Sequence, residues 1–515
     1  MAINFRQSPL LATLRGATQQ PDAATRQQMC QLLTTALDSY YVHLPQKRAA
    51  FAIDPVQDLR LLSASDGRDF IRHLIGTINS LHDRHTTLKL APPWTGLVAY
   101  VPFVLERYAE QGRFQYALTK PLFGFDDIPV GSVITHWNGT PIELYLRAQA
   151  AYSQGANWDA RMRLTTANLT IRPLAYMLMP QEDWVTLNYI APDGRASAHS
   201  TPWRFFLQGP SLVTAAATQA TGSVNRPEAL AGVDEMTAKT NEFRRDAIAI
   251  GAQDAEQITS ELDGQLRHGA LADRAHGTDA QCGYIRLTTF EVPDATAFVR
   301  RMAEILQHLP QERLIIDIRS NPGGLIPAGQ KFIRLLTSNP LTPSPVAFRN
   351  TPSTRWFGQV PQFSAWRDSL NIQFSTGQVF SQALPVTTYD DVPAYRYPGQ
   401  VILIIDSLCY STSDFFSADF KDNRVGQIVG IDEATGGGGA NVWGWNLLSG
   451  FAGVSALPAG YDFNLSMRHS LRTGAAVGLP IEDLGVKADH LRRLTRRDVL
   501  GKNTDLLDFT MSLFR

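Results

Sequence analysis

Leu314-Ile-Ile-Asp-Ile-Arg-Ser-Asn-Pro-Gly-Gly324 reads as a buried strand, Leu314 to Ile318, that runs into a polar corner and two glycines. A helix follows over roughly Leu325 to Leu336. Glycine lets a backbone amide approach a ligand closely, and a helix start presents unpaired N–H groups to negative charge. Those are the requirements of an oxyanion-binding corner, with Gly323 and Gly324 as its candidate donors. A plain tight turn between strand and helix is the other reading of the same residues.

The pattern continues in both directions. Tyr284 to Phe290 reads as a strand and Asp294 to Leu309 as a helix. Val401 to Asp406 is a second buried strand, a helix begins near Ser411, and Gln427 to Val429 is a further strand. Strand–helix alternation of this kind argues for an α/β layered domain with substantially parallel strands. A Pro- and Ser-rich excursion over about 338–397 interrupts it. Residues 1–92 read mainly as helix, because Phe70, Ile71, Leu74, Ile75, Ile78 and Leu81 recur at three and four positions and form one apolar face. Residues 93–205 change to short strands and turns, including an Asn-Gly turn within 131–149. Residues 206–280, rich in Ala, Thr, Gln and Gly, read as an insertion or linker.

At 515 residues the chain is long enough for about two to four domains. Its net charge of −1 supplies no field for nucleic acid or an anionic membrane. Cys30, Cys282 and Cys409 are too few and too scattered for a disulfide framework or a zinc site. The longest apolar strings are of strand length, so no membrane span is expected. No signal-peptide core is visible near Met1. A cytoplasmic location is therefore expected, with secretion or a periplasmic location left open.

Four further segments carry candidate chemistry. Asp406-Ser-Leu-Cys-Tyr-Ser-Thr-Ser-Asp-Phe-Phe416 places Ser411 at the first turn of a helix, where the dipole favours an alkoxide and the Thr412 amide could donate to an oxyanion. The competing reading is a helix cap, Ser411 with Asp414 as a Ser-x-x-Asp box. His85 sits at a helix-to-strand junction in Asp83-Arg-His-Thr-Thr. A single histidine is more often structural than catalytic. Pro480-Ile-Glu-Asp-Leu-Gly-Val-Lys-Ala-Asp489 is an acidic turn in which Glu482 or Asp483 could orient a histidine. Thr435-Gly-Gly-Gly-Gly-Ala-Asn441 lacks the Gly-Lys-Ser/Thr ending of a phosphate loop and reads as a flexible loop beside a site.

Their order resembles the C-terminal-processing (tail-specific) serine protease family, peptidase S41: Gly-Tyr-Ile-Arg-Leu (283–287), the 314–324 corner, the Ser-x-Ser-Asp segment, then Ile481-Glu-Asp-Leu-Gly-Val-Lys-Ala-Asp489. The likeness covers about 281–325 and 398–490, and Gly131 to Pro141 also looks like part of a PDZ domain. Members with a Ser-Lys dyad carry the lysine in a Gly-Lys-Gly loop. Here Gly436 to Gly439 holds none, and neither Lys421 nor Lys487 replaces it convincingly. The sequence is instead similar to the tricorn-core and chlamydial-protease branch, where a histidine in an Asp-x-His-Thr/Ser motif is the base. Leu81-His-Asp-Arg-His-Thr86 matches that motif, and Glu482 matches the carboxylate of the late Glu-x-x-Gly-Val segment.

The resemblance implies a ClpP/crotonase-like α/β layered core at 281–515, a helical region at 1–92 carrying the histidine, and a PDZ-like peptide-binding domain at 93–205. It implies a serine endopeptidase with Ser411 as nucleophile, His85 as base and Glu482 as orienting carboxylate. Gly323, Gly324 and Thr412 would receive the oxyanion. The implied partner is a protein or peptide substrate, with no metal or other cofactor, and a homo-oligomer is left open. An unactivated serine hydroxyl needs a neighbouring base, and with no dyad lysine a histidine must supply it. The rivals are a non-catalytic peptide- or hydrophobic-ligand-binding protein on the same scaffold and an acyl-CoA enzyme of crotonase type, for which no basic cluster is evident. The 338–397 excursion could also cover the site of a zymogen.

Overall fold

The computed structural model describes residues 4–15, 20–65, 67–207, 258–273, 275–276, 280–501 and 503–515. Most of the expected 206–280 insertion thus lies outside the described residues. Its last part does not read as linker: Thr259–Glu261 and Leu266–Ala272 are strands, and the second pairs antiparallel with Gln281–Leu287 along its whole length. The first is a short, polar edge strand and the second carries Arg267, His268 and Gly269 in its middle, which hid both from a reading based on apolar runs.

The central sheet has seven strands, ordered Thr259–Glu261, Leu266–Ala272, Gln281–Leu287, Arg313–Asp317, Gln400–Ile405, Gln427–Gly430 and His490–Leu491. From Gln281–Leu287 onward every pairing is parallel, as the alternating pattern predicts. The middles of Arg313–Asp317 and Gln400–Ile405 are apolar because both faces are covered. Leu314, Ile316, Leu403 and Ile405 pack with the helices Ala295–His308 and Ile326–Leu335. Ile315, Ile402 and Ile404 point the other way, onto Leu506, Leu507 and Met511 of the C-terminal helix Thr504–Met511. The α/β class is therefore the observed one.

A second sheet ties the ends of the chain together. Asp462–Ser470 pairs antiparallel with Thr87–Lys89, Val346–Phe348 and Ala440–Gly444. Around it the helices Ala23–Ser39, Leu44–Phe51, Pro55–Ser63 and Phe70–Asn79 share one apolar core with Phe348, Phe357, Phe363 and Trp366 of the excursion. The excursion is thus an integral wall of the N-terminal core, with Phe348, Phe357 and Phe363 fully buried.

Residues 97–207 form a third core of antiparallel strands. Phe103–Glu110, Arg113–Pro121, Val133–Trp137, Trp184–Ile190 and Ala196–Pro202 lie side by side, with the helices Ile142–Ala150 and Trp158–Asn168 packed in the same unit. The expected turn is present at Asn138-Gly139, both at positive φ. The unit is an antiparallel sheet with two helices, and its PDZ-like reading and peptide-binding role stay proposals.

Candidate active site

Ser411 follows the central strand Gln400–Ile405 and heads the helix Thr412–Asp422. It stands in the N-cap position, yet its side chain makes no capping hydrogen bond. Nor does Asp414 complete a capping box. Its carboxylate accepts from the amides of Gly437 (3.2 Å) and Gly438 (2.9 Å) and from the Thr435 hydroxyl. Ser411 instead adopts φ 58°, ψ −122°, a backbone conformation that costs a non-glycine residue about 1–3 kcal/mol. Strain of this kind persists only where the surroundings enforce it, and here they do. Tyr410 N–H donates to the Asn321 carbonyl (3.0 Å), and the Thr412 hydroxyl donates to the Gly324 carbonyl (2.7 Å).

The corner at 320–324 thereby lies directly against the serine. Gly323 (φ 100°) leaves no room for a side chain: a Cβ there would sit 2.5 Å from Ser411 Cβ and 2.9 Å from the Thr412 amide nitrogen. The Gly323 N–H donates to Asn321 Oδ1 at 2.9 Å. That engagement leaves the amides of Gly324 and Thr412 as the more available donors, Thr412 being the first helical residue and so without an intrahelical acceptor. Ser320 (φ 57°) is fixed through its amide and hydroxyl to Asp406, at 2.8 and 3.0 Å.

His85 reaches this corner because the chain after the helix Phe70–Asn79 joins the second sheet. Asp83 fastens the approach: it accepts from the His85 amide (2.8 Å), the Thr86 hydroxyl (2.9 Å) and the Ser466 hydroxyl (2.8 Å). The His85 ring is buried against the Tyr410 ring, centroids 4.7 Å apart, beside the residue that precedes Ser411. Neither ring nitrogen makes a hydrogen bond among the described residues. Burial pulls its pKa down to about 3, with Asp83 opposing, so the ring is a neutral base near pH 7.

Glu482 lies on the Ile481–Gly485 turn, which is fastened to the glycine loop by the Asp483 amide donating to the Gly437 carbonyl (2.9 Å). Its carboxylate is fully buried and faces Lys47 Nζ (2.8 Å) and His43 Nε2 (3.5 Å). No hydrogen bond joins Glu482 to the His85 ring. Burial drives the Glu482 pKa well above its ordinary value, with Lys47 opposing and Asp83 and Asp483 adding to the rise. The glycine corner thus lies against Ser411, the His85 ring packs on Tyr410, the residue before it, and Glu482 groups with His43, Lys47 and Asp83.

Ligand atoms of His43, Asp83 and Glu482 lie within 4.8 Å of one another, a spacing a metal ion would require. The ammonium of Lys47 supplies the positive charge in that cluster. Lys47 and His43 were missed in the sequence, where each is a solitary charged or polar residue in a helical stretch with no motif around it. Asp83 carried a signal, its position two residues before His85. Lys421 is engaged with Asp489 (2.8 Å) and the Lys487 carbonyl (2.7 Å) at the protein surface, away from the serine's partners.

Residues 281–464 match the model of peptidase family S41. No curated protein matches the chain. Among solved structures, mature CPAF complexed with lactacystin is similar at TM-score 0.69 and 18% identity, covering 95% of this chain and 98% of that one. Mature CPAF alone gives 0.68 and 18%, covering 95% and 97%. At that identity the likeness establishes the fold, shared over nearly the whole length of both chains. The photosystem II D1 C-terminal processing protease aligns at a TM-score of only 0.39 with 15% identity, over 91% and 93%. The family resemblance read from the motifs is borne out over the segment that holds Ser411 and the glycine corner.

Proposed function

With a core segment of S41 type, the chain is a serine peptidase, and we propose that it is an endopeptidase acting through an acyl-enzyme on Ser411. The observation that carries this reading is the backbone of Ser411: a strained strand-to-helix turn whose hydroxyl is not spent on capping the helix it heads. Nucleophile turns are built this way, with the side chain exposed to the reacting carbonyl and strain held by the surrounding packing.

In this mechanism Ser411 Oγ attacks the peptide carbonyl carbon while His85 takes the hydroxyl proton. The amides of Gly324 and Thr412 receive the oxyanion. Gly323, its N–H turned to Asn321, shapes the corner that places them. Collapse of the tetrahedral intermediate breaks the C–N bond, and His85 returns the proton to the leaving amine. Water then attacks the ester with His85 again as base. Glu482 is the orienting carboxylate in this reading, which requires its contact with the imidazole to form as substrate closes the site. Catalytic hydrogen bonds commonly tighten only in the Michaelis complex. The substrate is a protein or peptide, and residues 93–205 would dock it as an added strand, the PDZ mode of recognition.

The test is labelling by a fluorophosphonate with intact-mass and peptide-level analysis, alongside turnover of an unstructured protein substrate. A single adduct on Ser411, lost in Ser411→Ala and strongly reduced in His85→Ala, is expected, with peptide turnover abolished in both. A folded protein that neither labels nor cleaves would instead be a ligand-binding protein on a peptidase scaffold. Near-normal turnover by His85→Ala would remove the histidine from the mechanism.

A further inference from the structure

Holding an imidazolium is a task for a charged carboxylate, and the surroundings of Glu482 oppose charge. Its side chain is 0% exposed. Facing it are Lys47 and His43 from the helix Leu44–Phe51 and its cap, Asp83 from the loop before His85, its own neighbour Asp483, and the phenols of Tyr410 and Tyr41. Two fully buried carboxylates, Glu482 and Asp83, therefore meet beside a third, Asp483, that is partly exposed. His43 does not balance them, since burial lowers its pKa to about 4 and leaves the ring neutral near pH 7. The two phenols are likewise held protonated by burial. Among the described residues in this cluster, Lys47 is the standing cation.

Its geometry is that of a dedicated counter-ion. The side chain is 0% exposed, whereas a lysine normally extends its ammonium into water. The ammonium donates to the His82 carbonyl at 3.2 Å and to Asp483 Oδ1, and stands 2.8 Å from Glu482 Oε1 as an ion pair. Two hydrogen bonds and the ion pairs to Glu482 and Asp483 hold it in place. It joins an N-terminal helix to the turn that carries Glu482 and to the loop that leads to His85.

We propose that Lys47 is a positioning residue of the peptidase, acting through Glu482 to favour the charged form of that carboxylate and to fix it in its cluster. The inference rests on Glu482 being the orienting carboxylate and goes one residue further. Removing the ammonium takes away the ion pair that opposes the effect of burial, Asp83 and Asp483 on Glu482, and drives the carboxylate further toward its protonated form.

The experiment is a pH–rate profile with a fluorogenic peptide for the full chain, for Lys47→Met, for Glu482→Gln, and for the double variant. Lys47→Met should lower kcat at pH 7 by about tenfold or more with KM within about twofold, as expected for an interaction used in the transition state. Its acidic limb should move upward by about one pH unit or more. In the Glu482→Gln background the same substitution should change kcat by less than about twofold, because the group it acts through is already neutral. A Lys47→Met enzyme with wild-type kcat and pH profile would overturn the inference, as would an equal loss in both backgrounds, the mark of a purely structural lysine. Should Lys47→Met fail to fold by circular dichroism, the double variant decides alone. A kcat equal to that of Glu482→Gln supports the inference and a lower one refutes it. Wild-type activity of Glu482→Gln would remove the orienting carboxylate and Lys47 together while leaving fluorophosphonate labelling of Ser411 intact, which separates the two failures.

Discussion

Gly323 and His85 show how far single residues are committed to the corner. At φ 100° Gly323 occupies a region closed to side chains, and its missing Cβ would stand 2.5 Å from that of Ser411. Gly323→Ala should therefore displace either the serine or the Gly324 amide. A lost oxyanion donor costs roughly 100- to 1000-fold in kcat, and steady-state turnover with unchanged circular dichroism is the measurement. A kcat within tenfold of wild type would show that the corner does not bind the transition state. His85 makes a second prediction through linkage. Its folded pKa of about 3 lies below the ordinary 6.5, so between those values the unfolded chain binds more protons than the native one. The contribution to stability is whole above pH 6.5 and drains away as pH falls toward 3. His85→Asn, which cannot titrate, should lose less urea midpoint than wild type between pH 6.5 and 4. Identical losses would mean that the native ring is already protonated there.

The helix Thr412–Asp422 is the element through which the serine is held, and Asp419 on it ties two neighbours. Its carboxylate accepts from the amide and hydroxyl of Ser344, both at 2.7 Å, and from Gln330 at 2.9 Å, joining the nucleophile helix to the start of the excursion and to the helix Ile326–Leu335. Burial raises its pKa to about 7 against the hydrogen bonds from Ser344. Because the folded value exceeds the ordinary 3.8, its contribution is fully present below pH 3.8 and is lost as pH rises through about 7. Asp419→Asn should therefore flatten the dependence of the thermal midpoint on pH between 5 and 8, by scanning calorimetry. An unchanged slope would contradict a proton on Asp419. Elements of this kind differed in how plainly the sequence announced them. The strands around Leu314 and Val401 were legible because both their faces are buried, which confines polar residues to the strand ends. Thr259–Glu261 was not, because it is a short polar strand at the sheet edge, nor was Leu266–Ala272, whose apolar run is broken by Arg267, His268 and Gly269. Ser411 was legible as a helix-start serine, while its positive φ, which separates a nucleophile from a cap, is a property of the packed corner. The location of His85 followed from a motif resemblance, but its means of arrival, the pairing of Thr87–Lys89 with Asp462–Ser470, had no local signature at all.

Across the whole molecule, Asp432 connects the antiparallel unit to the turn that precedes the serine. Arg107 of the strand Phe103–Glu110 and Arg163 of the helix Trp158–Asn168 both reach it, at 2.9 Å each. On the other side its carboxylate accepts from the amide and hydroxyl of Ser407, at 3.1 and 2.9 Å, four residues before Ser411. All four residues are nearly or fully buried. Although burial works against its charge, Arg163 and Arg107 hold the Asp432 pKa at about 2, below the ordinary 3.8. Its stabilising contribution is thus complete above pH 3.8, is lost only as pH falls through about 2, and is constant near neutrality. Asp432→Asn keeps the shape, removes the charge, and leaves two guanidinium groups without their carboxylate. Breaking a buried pair in this one-sided way typically costs about 3–5 kcal/mol, more than the pair itself contributes. The urea midpoint at pH 7 should fall accordingly, and kcat should fall with it, since Ser407 loses the anchor that sets the turn. Arg107→Met, which leaves Asp432 paired with Arg163, should cost less on both counts. If Asp432→Asn lost under about 1 kcal/mol and kept full kcat, the antiparallel unit would be joined to the core by apolar packing alone, and the arginines would be bystanders to the geometry of the serine.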